Sequence, residues 1–417
     1  MNVRQLKLLL SVLAGLFFLV ACSPPEAEQS NAEAVRVMPI GAAAGSMGPN
    51  LIAGPDGSIV LSWIEPDGEG HALRYSSLQD AGWTDPRTVT SGDNWFVNWA
   101  DFPSVVPVSE TLWGAHWLVS QESGGYAYDI HTAMSADGGN TWSESTIPHN
   151  DGTDTEHGFV SLFGDSGGLG LVWLDGRKMV NEYDETDKRA SGMTLRSGTL
   201  GQDLLPYKEA LVDDLVCDCC QTDIAITKDG PIAVYRNRTV DEIRDIYVSR
   251  REFGEWQPGH AVHDDHWSID ACPVNGPVIK ANDSTVAVAW FTAPTGSPQV
   301  RVAWSDDSGR SFKDPIDVSN DRPLGHVGSV LLPNGELALS WLRSTGQGGA
   351  ELLLTRVSPA GVVTPPYVIK EAADVFAFSV PQLGFDGHNL IVAWTTEIDR
   401  TFGVASALVP TELLTSR

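Results

Sequence analysis

Seven short apolar segments recur along the chain, and each of them ends in an aromatic residue. They span residues 58–63, 112–117, 168–173, 231–235, 286–290, 336–341 and 389–394. The aromatic ends lie 51 to 62 residues apart, and each segment follows another short apolar run, usually across a turn with Gly or Asp. Short strands at such a regular spacing predict an all-β protein built from repeats.

Each repeat has room for four strands in about 50 residues, which is one blade of a β-propeller. We therefore expect a seven-bladed β-propeller over residues 35–410, with a six-bladed ring as the alternative. The last repeat has only three strands of its own. Residues 35–40 precede the first repeat and can supply the missing outer strand, which would close the ring and remove its open edge.

The first 34 residues have a different pattern. Residues 1–21 combine Arg4 and Lys7 with an apolar stretch and a small residue, Ala21, which predicts a signal peptide. The Cys22 that follows resembles the bacterial lipobox, which implies lipidation of Cys22 and, with Ser23 next to it, an outer-membrane location. Residues 22–34 are acidic and polar and predict a flexible tether. Residues 411–417 are expected to be a tail.

The charge of the chain limits its partners. The formal net charge is −27, and removal of residues 1–21 makes it more negative still, because that segment carries only basic charges. Nucleic acid and anionic membrane surfaces are therefore excluded as expected partners, and the membrane is reached through the lipid alone. Good solubility is an equally simple reason for so many acidic residues.

Chain geometry assigns each connecting loop to a face. In a blade, the loops that enter the first strand and those that join the second to the third lie on one face, which we call the upper face. The turns between the first and second strands are plain here, as in Asp56-Gly57 and Asp386-Gly387. The unusual polar and aromatic residues fall instead in the upper-face loops, where a propeller carries a site.

Several of these residues predict a glycan site. Aromatic rings can stack on sugar rings, and arginines can hold a carboxylate, sulfate or phosphate in a bidentate manner. Packing in the funnel and salt bridges to neighbouring acids are the structural alternatives. The candidates for substrate binding are Trp95, Trp99, Arg177, Arg236, Arg238, Arg244, Trp267 and Asn275. By position, the candidates for acid–base or nucleophilic catalysis are Asp101, Glu156, His157 and Tyr235.

Four cysteines besides Cys22 lie in two neighbouring upper-face loops. In an oxidising compartment they predict disulfides, with a bond between adjacent Cys219 and Cys220 disfavoured. The competing prediction is a soft-metal site, because the same thiols suit copper or zinc, with a histidine close by. The disulfide candidates are Cys217, Cys219, Cys220 and Cys272, and His266 joins them as a ligand in the metal alternative. Otherwise no cofactor is expected.

Two turns share the spacing S-x-D-x-G-x-[ST]-[WF]. Their key residues are Ser135, Asp137, Gly139 and Trp142 in one turn, and Ser305, Asp307, Gly309 and Phe312 in the other. Asp can accept hydrogen bonds from the turn backbone, Gly can take a positive φ, and the aromatic residue can pack between sheets. These turns resemble the Asp-box of sialidase-like (BNR-repeat) propellers. Together with the Trp-ended strands and the lipobox they resemble bacterial lipoproteins of that group, and the resemblance covers the whole mature chain.

The resemblance implies a glycan-related function. The Cys217–Cys220 run with Cys272 is similar to a subgroup labelled sialidase-like. Membership of the true sialidases would imply an arginine triad, a Tyr–Glu nucleophile pair, an acid Asp and an Arg-Ile-Pro motif. Residues 40–50, where the Arg-Ile-Pro motif is expected, do not contain it. We therefore expect an envelope lipoprotein that binds or hydrolyses anionic glycans. The alternatives are a metal- or redox-linked propeller that uses the cysteine loops, and a scaffold for another envelope protein.

Overall fold

The computed structural model describes residues 35–414 apart from 166–167, 182–186, 202, 204, 374–377 and 399. The predicted signal peptide, the predicted tether and Cys22 lie outside the described residues. In the described part the chain forms 29 strands and short 3-10 helices at Arg177–Val180, Lys188–Ala190, Pro294–Gly296 and Thr411–Leu414. It contains no helix with the length and apolar character needed to span a bilayer.

The strands follow one another with short connections, as the spacing of the repeats predicts. In chain order they are β1 (Arg36–Met38), β2 (Met47–Ala53), β3 (Ile59–Asp67), β4 (Gly70–Gln79), β5 (Gly82–Trp83), β6 (Arg87–Gly92), β7 (Ser104–Pro107), β8 (Trp113–Ser120), β9 (Tyr128–Ser135), β10 (His157–Asp165), β11 (Gly168–Asp175), β12 (Thr194–Gly201), β13 (Pro206–Asp213), β14 (Asp223–Thr227), β15 (Gly230–Arg236), β16 (Ile246–Glu252), β17 (Glu255–Trp256), β18 (His260–Ala261), β19 (Val278–Asn282), β20 (Thr285–Thr292), β21 (Gln299–Ser305), β22 (Ile316–Ser319), β23 (Pro323–Leu331), β24 (Leu337–Ser344), β25 (Ala350–Val357), β26 (Tyr367–Ala372), β27 (Gln382–Phe385), β28 (Asn389–Ile398) and β29 (Thr401–Pro410).

These strands form seven antiparallel sheets, so the prediction of a seven-bladed propeller is confirmed. The innermost strands are β2, β7, β10, β14, β19, β23 and β27. Each contacts the innermost strand of the next blade, and β27 contacts β2, which completes the ring. In the second blade, a single bridge between Thr132 and Thr146 stands where the other blades have a fourth strand.

The ring is closed by the N-terminal strand, as expected. Strand β1 pairs with β29 of the seventh blade, with Val37 opposite Ala407 and Met38 opposite Ser406. The seventh sheet therefore has the order β1-β29-β28-β27 and joins the two ends of the described chain. This pairing satisfies the backbone groups that an open edge would leave without partners.

The aromatic residue of each repeat is a packing device. Trp63, Trp117, Trp173, Tyr235, Trp290, Trp341 and Trp394 all lie in the second strand of a blade, and none is more than 4% exposed. Each joins a hydrophobic cluster, several of which combine residues of two neighbouring blades. Burial of such large side chains between sheets supplies much of the hydrophobic stabilisation of a propeller.

Candidate functional site

The seven innermost strands surround a central cavity of about 760 Å³. Its wall carries the polar residues Asp101, Gln221, Thr222 and His326 near the upper face, where the loops enter the innermost strands. Further down, the wall mixes apolar side chains such as Phe163 and Val330 with polar ones such as Ser161 and the ion pair of Asp223 and Lys280. A concave site lined by apolar residues and a few polar groups is the usual character of a small-molecule site.

Tyr128, which is fully buried, joins two of the predicted catalytic carboxyl groups, and one of them, Asp101, lines the cavity. Its hydroxyl oxygen lies 2.8 Å from Asp101 Oδ2 and 2.9 Å from Glu156 Oε1. Asp101 comes from the loop between the first two blades, Tyr128 begins the third strand of the second blade, and Glu156 comes from the next loop. We call Asp101, Tyr128 and Glu156 the carboxyl–tyrosine trio.

The trio must share protons. A tyrosine hydroxyl has one hydrogen, so it can donate to one carboxylate while it accepts from the other carboxyl group in its protonated form. Burial raises the pKa of Asp101 to about 7, and burial also raises that of Glu156 to about 8. The neighbouring charges of Asp101 and Asp218 raise the pKa of Glu156 further. Near neutral pH the trio therefore holds at least one proton on its carboxyl groups.

Backbone geometry fixes the position of Asp101. The backbone N–H of Phe159 donates to Asp101 Oδ1 at 2.8 Å. Phe159 has a positive φ of 52° and lies in a bulge of β10 between Gly158 and Ser161, which aims this N–H at the carboxylate. The ring of Phe96 stacks on the ring of Tyr128, with 4.0 Å between the ring centroids, and covers one face of the tyrosine.

His157 lies in a separate buried cluster beside the trio. Its ring stacks on His149 at 3.9 Å, and its Nε2 lies 3.2 Å from Asp151. Burial opposes protonation of His157, but Asp151 and Asp175 outweigh burial and raise its pKa. Ligand atoms of Asp129, His149 and His157 lie within 4.8 Å of one another, a donor set that zinc accepts. The two rings also make hydrogen bonds to Asp151 and to backbone oxygen atoms.

Tyr235 makes its hydrogen bond outside the trio. Its hydroxyl donates to Asp213 Oδ2 at 2.6 Å, and its ring is fully buried between the third and fourth blades. Sequence reasoning missed Tyr128 as the partner of Asp101 and Glu156. The available signal was its place as the first residue of a strand directly after a long upper-face loop.

The predicted arginines are all paired within the protein. Arg177 binds Asp175 through two nitrogens at 2.7 Å and also contacts Glu209. Arg238 and Arg244 share Glu242, which Lys188 also contacts. Arg236 is 2% exposed and donates to the carbonyl oxygens of its surroundings, namely those of Arg244, Asn275 and Phe291. The structure thus brings these arginines to the upper face, where each of them already binds a carboxylate or carbonyl oxygen of the protein.

The predicted aromatic and amide residues differ in their exposure. Trp99 is exposed at the mouth and lies 5.6 Å from the ring of His326. Trp95 stacks on Trp117, and Trp267 is buried under the guanidinium group of Arg236. Asn275 is buried as well, and its Oδ1 accepts the backbone N–H of His326 at 2.7 Å. Among the four, Trp99 is the side chain best placed to touch a ligand.

The cysteine loops meet, and one disulfide joins them. Cys219 is bonded to Cys272, which confirms a disulfide between the two loops, while Cys217 and Cys220 are buried free thiols. The sulfur atoms of Cys217, Cys219 and Cys220 lie within 4.8 Å of one another. A copper or zinc site built from them requires the disulfide to be open, because the bonded Cys219 sulfur is not a thiolate ligand.

His266 is not part of that sulfur cluster. Its backbone N–H donates to Asp245 Oδ2, and its side chain is exposed. Among the described residues, no group of three ligand atoms within 4.8 Å includes His266. The metal alternative therefore depends on the cysteines alone.

Both Asp-box turns lie on the opposite face and have the expected contacts. In each, the serine hydroxyl accepts the backbone N–H of the glycine, from Gly139 at 2.8 Å and from Gly309 at 2.9 Å. The aspartates accept the backbone N–H of Thr141 and of Ser311. Trp142 and Phe312 pack against neighbouring strands, so these turns stabilise the fold and contribute nothing to the cavity mouth.

The fold is similar to several solved propellers. A protein of unknown function from Dyadobacter fermentans matches at 12% identity and a TM-score of 0.51, over 90% of this chain and 97% of that one. An alpha-L-arabinanase of Penicillium chrysogenum, complexed with arabinobiose, matches at 12% identity and 0.49, over 91% and 99%. Trypanosoma rangeli sialidase with sialic acid matches at 9% and 0.49, over 90% and 60%.

At these identities the likeness concerns the fold of the chain and not its chemistry. No protein-family model matches this sequence, and no curated protein matches it.

Proposed function

We propose that the protein is a glycoside hydrolase whose reaction takes place at the upper mouth of the central cavity. The observation that carries this proposal is the carboxyl–tyrosine trio, in which Asp101 and Glu156 are bound to one hydroxyl group. The two bonded carboxyl oxygen atoms are therefore no farther apart than the sum of their 2.8 and 2.9 Å contacts with that hydroxyl oxygen. Retaining glycosidases place their two carboxyl groups at a similar separation, about 5–5.5 Å.

The pKa values of the two groups support a division of roles. Hydrolysis requires an acid that protonates the leaving oxygen and a second carboxylate that attacks the anomeric carbon or activates water. Glu156, with a pKa of about 8, keeps its proton at neutral pH and is the general acid. Asp101, with a pKa of about 7, is the group that ionises first. The Tyr128 hydroxyl can donate its hydrogen bond to either carboxylate, and its contacts with both groups fix their separation.

The surroundings favour an uncharged sugar over the anionic sugar that the sequence suggested. The four candidate arginines already bind carboxylates or carbonyl oxygens, so an anion would have to compete for them. Asp218 adds a negative charge close to Glu156. The exposed ring of Trp99 offers a surface on which the apolar face of a sugar can stack.

An assay of neutral and sialylated aryl glycosides, together with a glycan array, tests this function. We expect hydrolysis of a neutral glycoside, and a loss of about 100-fold or more in Glu156→Gln and in Asp101→Asn. Asp306→Asn, which changes an exposed carboxylate on the opposite face, is the matched control and should keep full activity. Binding on the array without hydrolysis by the wild type would make the protein a glycan-binding propeller instead.

The cell-envelope location is also part of this proposal. It is supported by the apolar segment before Cys22 and by the acidic tether after it. Expression of the full chain in a bacterium that processes lipoproteins tests it. Mass spectrometry should find a lipid-modified Cys22 at the new N-terminus, and Cys22→Ala should release the protein from the membrane fraction.

A further inference from the structure

Four sulfur atoms gather where two upper-face loops meet. Cys219 and Cys272 form the disulfide, and the Sγ atom of the free Cys217 lies 3.8 Å from Cys219 Sγ. The second free thiol, Cys220, lies 3.3 Å from Cys217 Sγ. The free pair is buried, whereas Cys272 is exposed. A buried dithiol is thus in contact with a disulfide that reaches the surface.

A buried guanidinium group lies against the thiol that touches the disulfide. Arg244 Nη1 is 3.3 Å from Cys217 Sγ, and the Arg244 side chain is almost fully buried. Burial alone would raise the pKa of Cys217, but the hydrogen bond from Cys220 and the charge of Arg244 lower it to about 7. A thiolate, unlike a thiol, is a nucleophile toward disulfides. Cys220, in contrast, has a pKa that burial raises well above its ordinary value.

We propose that these four cysteines form a thiol–disulfide exchange site that reduces a disulfide of an external partner. In the first step the Cys217 thiolate attacks Cys219 Sγ, forms a Cys217–Cys219 bond and releases Cys272 as a thiolate. The exposed Cys272 thiolate then attacks the partner disulfide, which gives a mixed disulfide with Cys272 and one partner thiolate. Burial of Cys217 and Cys220 requires this route, because the partner cannot reach them directly.

Two further exchanges complete the reduction of the partner disulfide. Cys220, after it loses its proton, attacks Cys217 Sγ, forms a Cys217–Cys220 disulfide and releases Cys219 as a thiolate. Cys219 attacks Cys272 in the mixed disulfide, restores the Cys219–Cys272 bond and releases the second partner thiolate. The Cys217–Cys220 dithiol loses two electrons and two protons, and the partner disulfide becomes two thiols. One turnover thus balances without another oxidant or reductant, and a further turnover requires an external dithiol that reduces the Cys217–Cys220 disulfide by the same kind of exchange.

The structure favours this site over a soft-metal site. A site with three sulfur ligands needs Cys219, whose sulfur is bonded to Cys272. The exchange site uses the disulfide as it stands. It also accounts for the contact of Arg244 with the Cys217 sulfur, which the ion pair of Arg244 with Glu242 does not explain. In the exchange site Arg244 is a positioning residue for the Cys217 thiolate.

The test uses the full chain and glutathione disulfide as the partner, with free thiols counted and disulfides mapped by mass spectrometry. In the wild type we expect the free thiols of Cys217 and Cys220 to be lost, with Cys217–Cys220 and Cys219–Cys272 bonds at the end. In Cys220→Ser, the cycle should stop with glutathione attached to Cys272. In Cys217→Ser, the Cys219–Cys272 bond should persist and Cys272 should take up no glutathione.

The role of Arg244 has its own matched control. Arg244→Met should slow thiol loss about tenfold or more, and Arg244→Lys should restore part of the rate, because the lysine keeps the positive charge. Arg238→Met breaks the other arginine contact of Glu242 without touching a sulfur atom, and should keep the wild-type rate. Circular dichroism spectra check that each variant is folded.

Three outcomes would overturn the proposal. The first is a wild type whose two thiols stay unreactive toward glutathione disulfide in the folded state. The second is a folded Cys220→Ser variant that carries no glutathione on Cys272. The third is stoichiometric copper or zinc in the purified protein together with a reduced Cys219 and Cys272, which would make the cluster a metal site.

Discussion

Gly158 lies directly against the carboxylate of Asp101. A Cβ atom at Gly158 would overlap Asp101 Oδ2 and would lie 2.8 Å from the hydroxyl oxygen of Tyr128. The trio therefore depends on a position without a side chain, in the first residues of the innermost strand of the third blade. Close approach of a functional group to the backbone is one of the main reasons for a glycine in a strand.

Gly158→Ala should disrupt the trio and with it the proposed hydrolysis. Asp101 and Tyr128 would have to move, and we expect a loss of about 1–3 kcal/mol in the free energy of unfolding. Gly403→Ala is the control, because a Cβ there meets only Thr396 at an ordinary distance of 3.8 Å. Urea unfolding and the glycoside assay check both variants, and full activity in Gly158→Ala would show that the trio is not the reactive site.

The trio should make stability depend on pH. Both carboxyl groups have pKa values raised by burial, so the folded state binds more protons than the unfolded state between about pH 4 and 8. Their contribution is therefore complete below about pH 4 and is lost as the pH rises through 7 and 8.

Glu156→Gln removes one of the two carboxyl groups that bind these protons in the folded state. The difference in unfolding free energy between the wild type and Glu156→Gln should fall as the pH rises, by up to about 1.4 kcal/mol per pH unit. Denaturant unfolding at pH 5, 6, 7 and 8 measures this difference, and a constant value would contradict the raised pKa. The proposed hydrolysis should also fall above about pH 8, where Glu156 loses its proton.

Ring closure should depend on one side of β1. Met38 is 5% exposed and packs in a cluster with the first and seventh blades, whereas Val37 is 67% exposed on the same strand. Met38→Asp places a charge in that cluster and should cost about 3 kcal/mol or more, while Val37→Asp should change stability by less than about 1 kcal/mol. Thermal unfolding distinguishes them, and a loss in Met38→Asp as small as that expected for Val37→Asp would mean that β1 is not essential for closure.

Trp99 and Trp267 should have different roles. Trp99→Ala should weaken glycan binding about tenfold with little change in stability, because its ring is exposed at the mouth. Trp267→Ala should instead cost about 3–5 kcal/mol of stability, since it empties a buried space under Arg236. Calorimetric titration with the best glycan from the array, combined with unfolding curves, checks the pair. Unchanged binding in Trp99→Ala would remove Trp99 from the site.

The Asp-box should act on stability alone. Asp307 accepts hydrogen bonds from the hydroxyl of Ser305 and from the backbone N–H of Ser311, so Asp307→Ala should cost about 1–2 kcal/mol. The adjacent Asp306 is exposed, and Asp306→Ala should be nearly neutral. Neither variant should alter hydrolysis or thiol exchange, and a change in either reaction would show that this face communicates with the mouth.

Much of the architecture is predictable from local pattern. The strands that end in Trp63 or Trp290 are recognisable because burial between blades selects an apolar run and a large aromatic residue at the same place in each repeat. The Asp-box turns are equally local, since Ser135 and Gly139 bind each other four residues apart. The contact of the two cysteine loops also followed from the repeat, because neighbouring blades place consecutive loops side by side.

The sequence by itself thus determined the seven blades, their closure by the first strand, and the face on which the unusual residues collect. Only the tertiary structure decided which of those residues act together. Tyr128 meets Asp101 and Glu156 from three separate segments, and Arg244 meets Cys217 across two loops. Those partners depend on burial and on distances of a few ångströms between segments far apart in the chain, which no local pattern encodes.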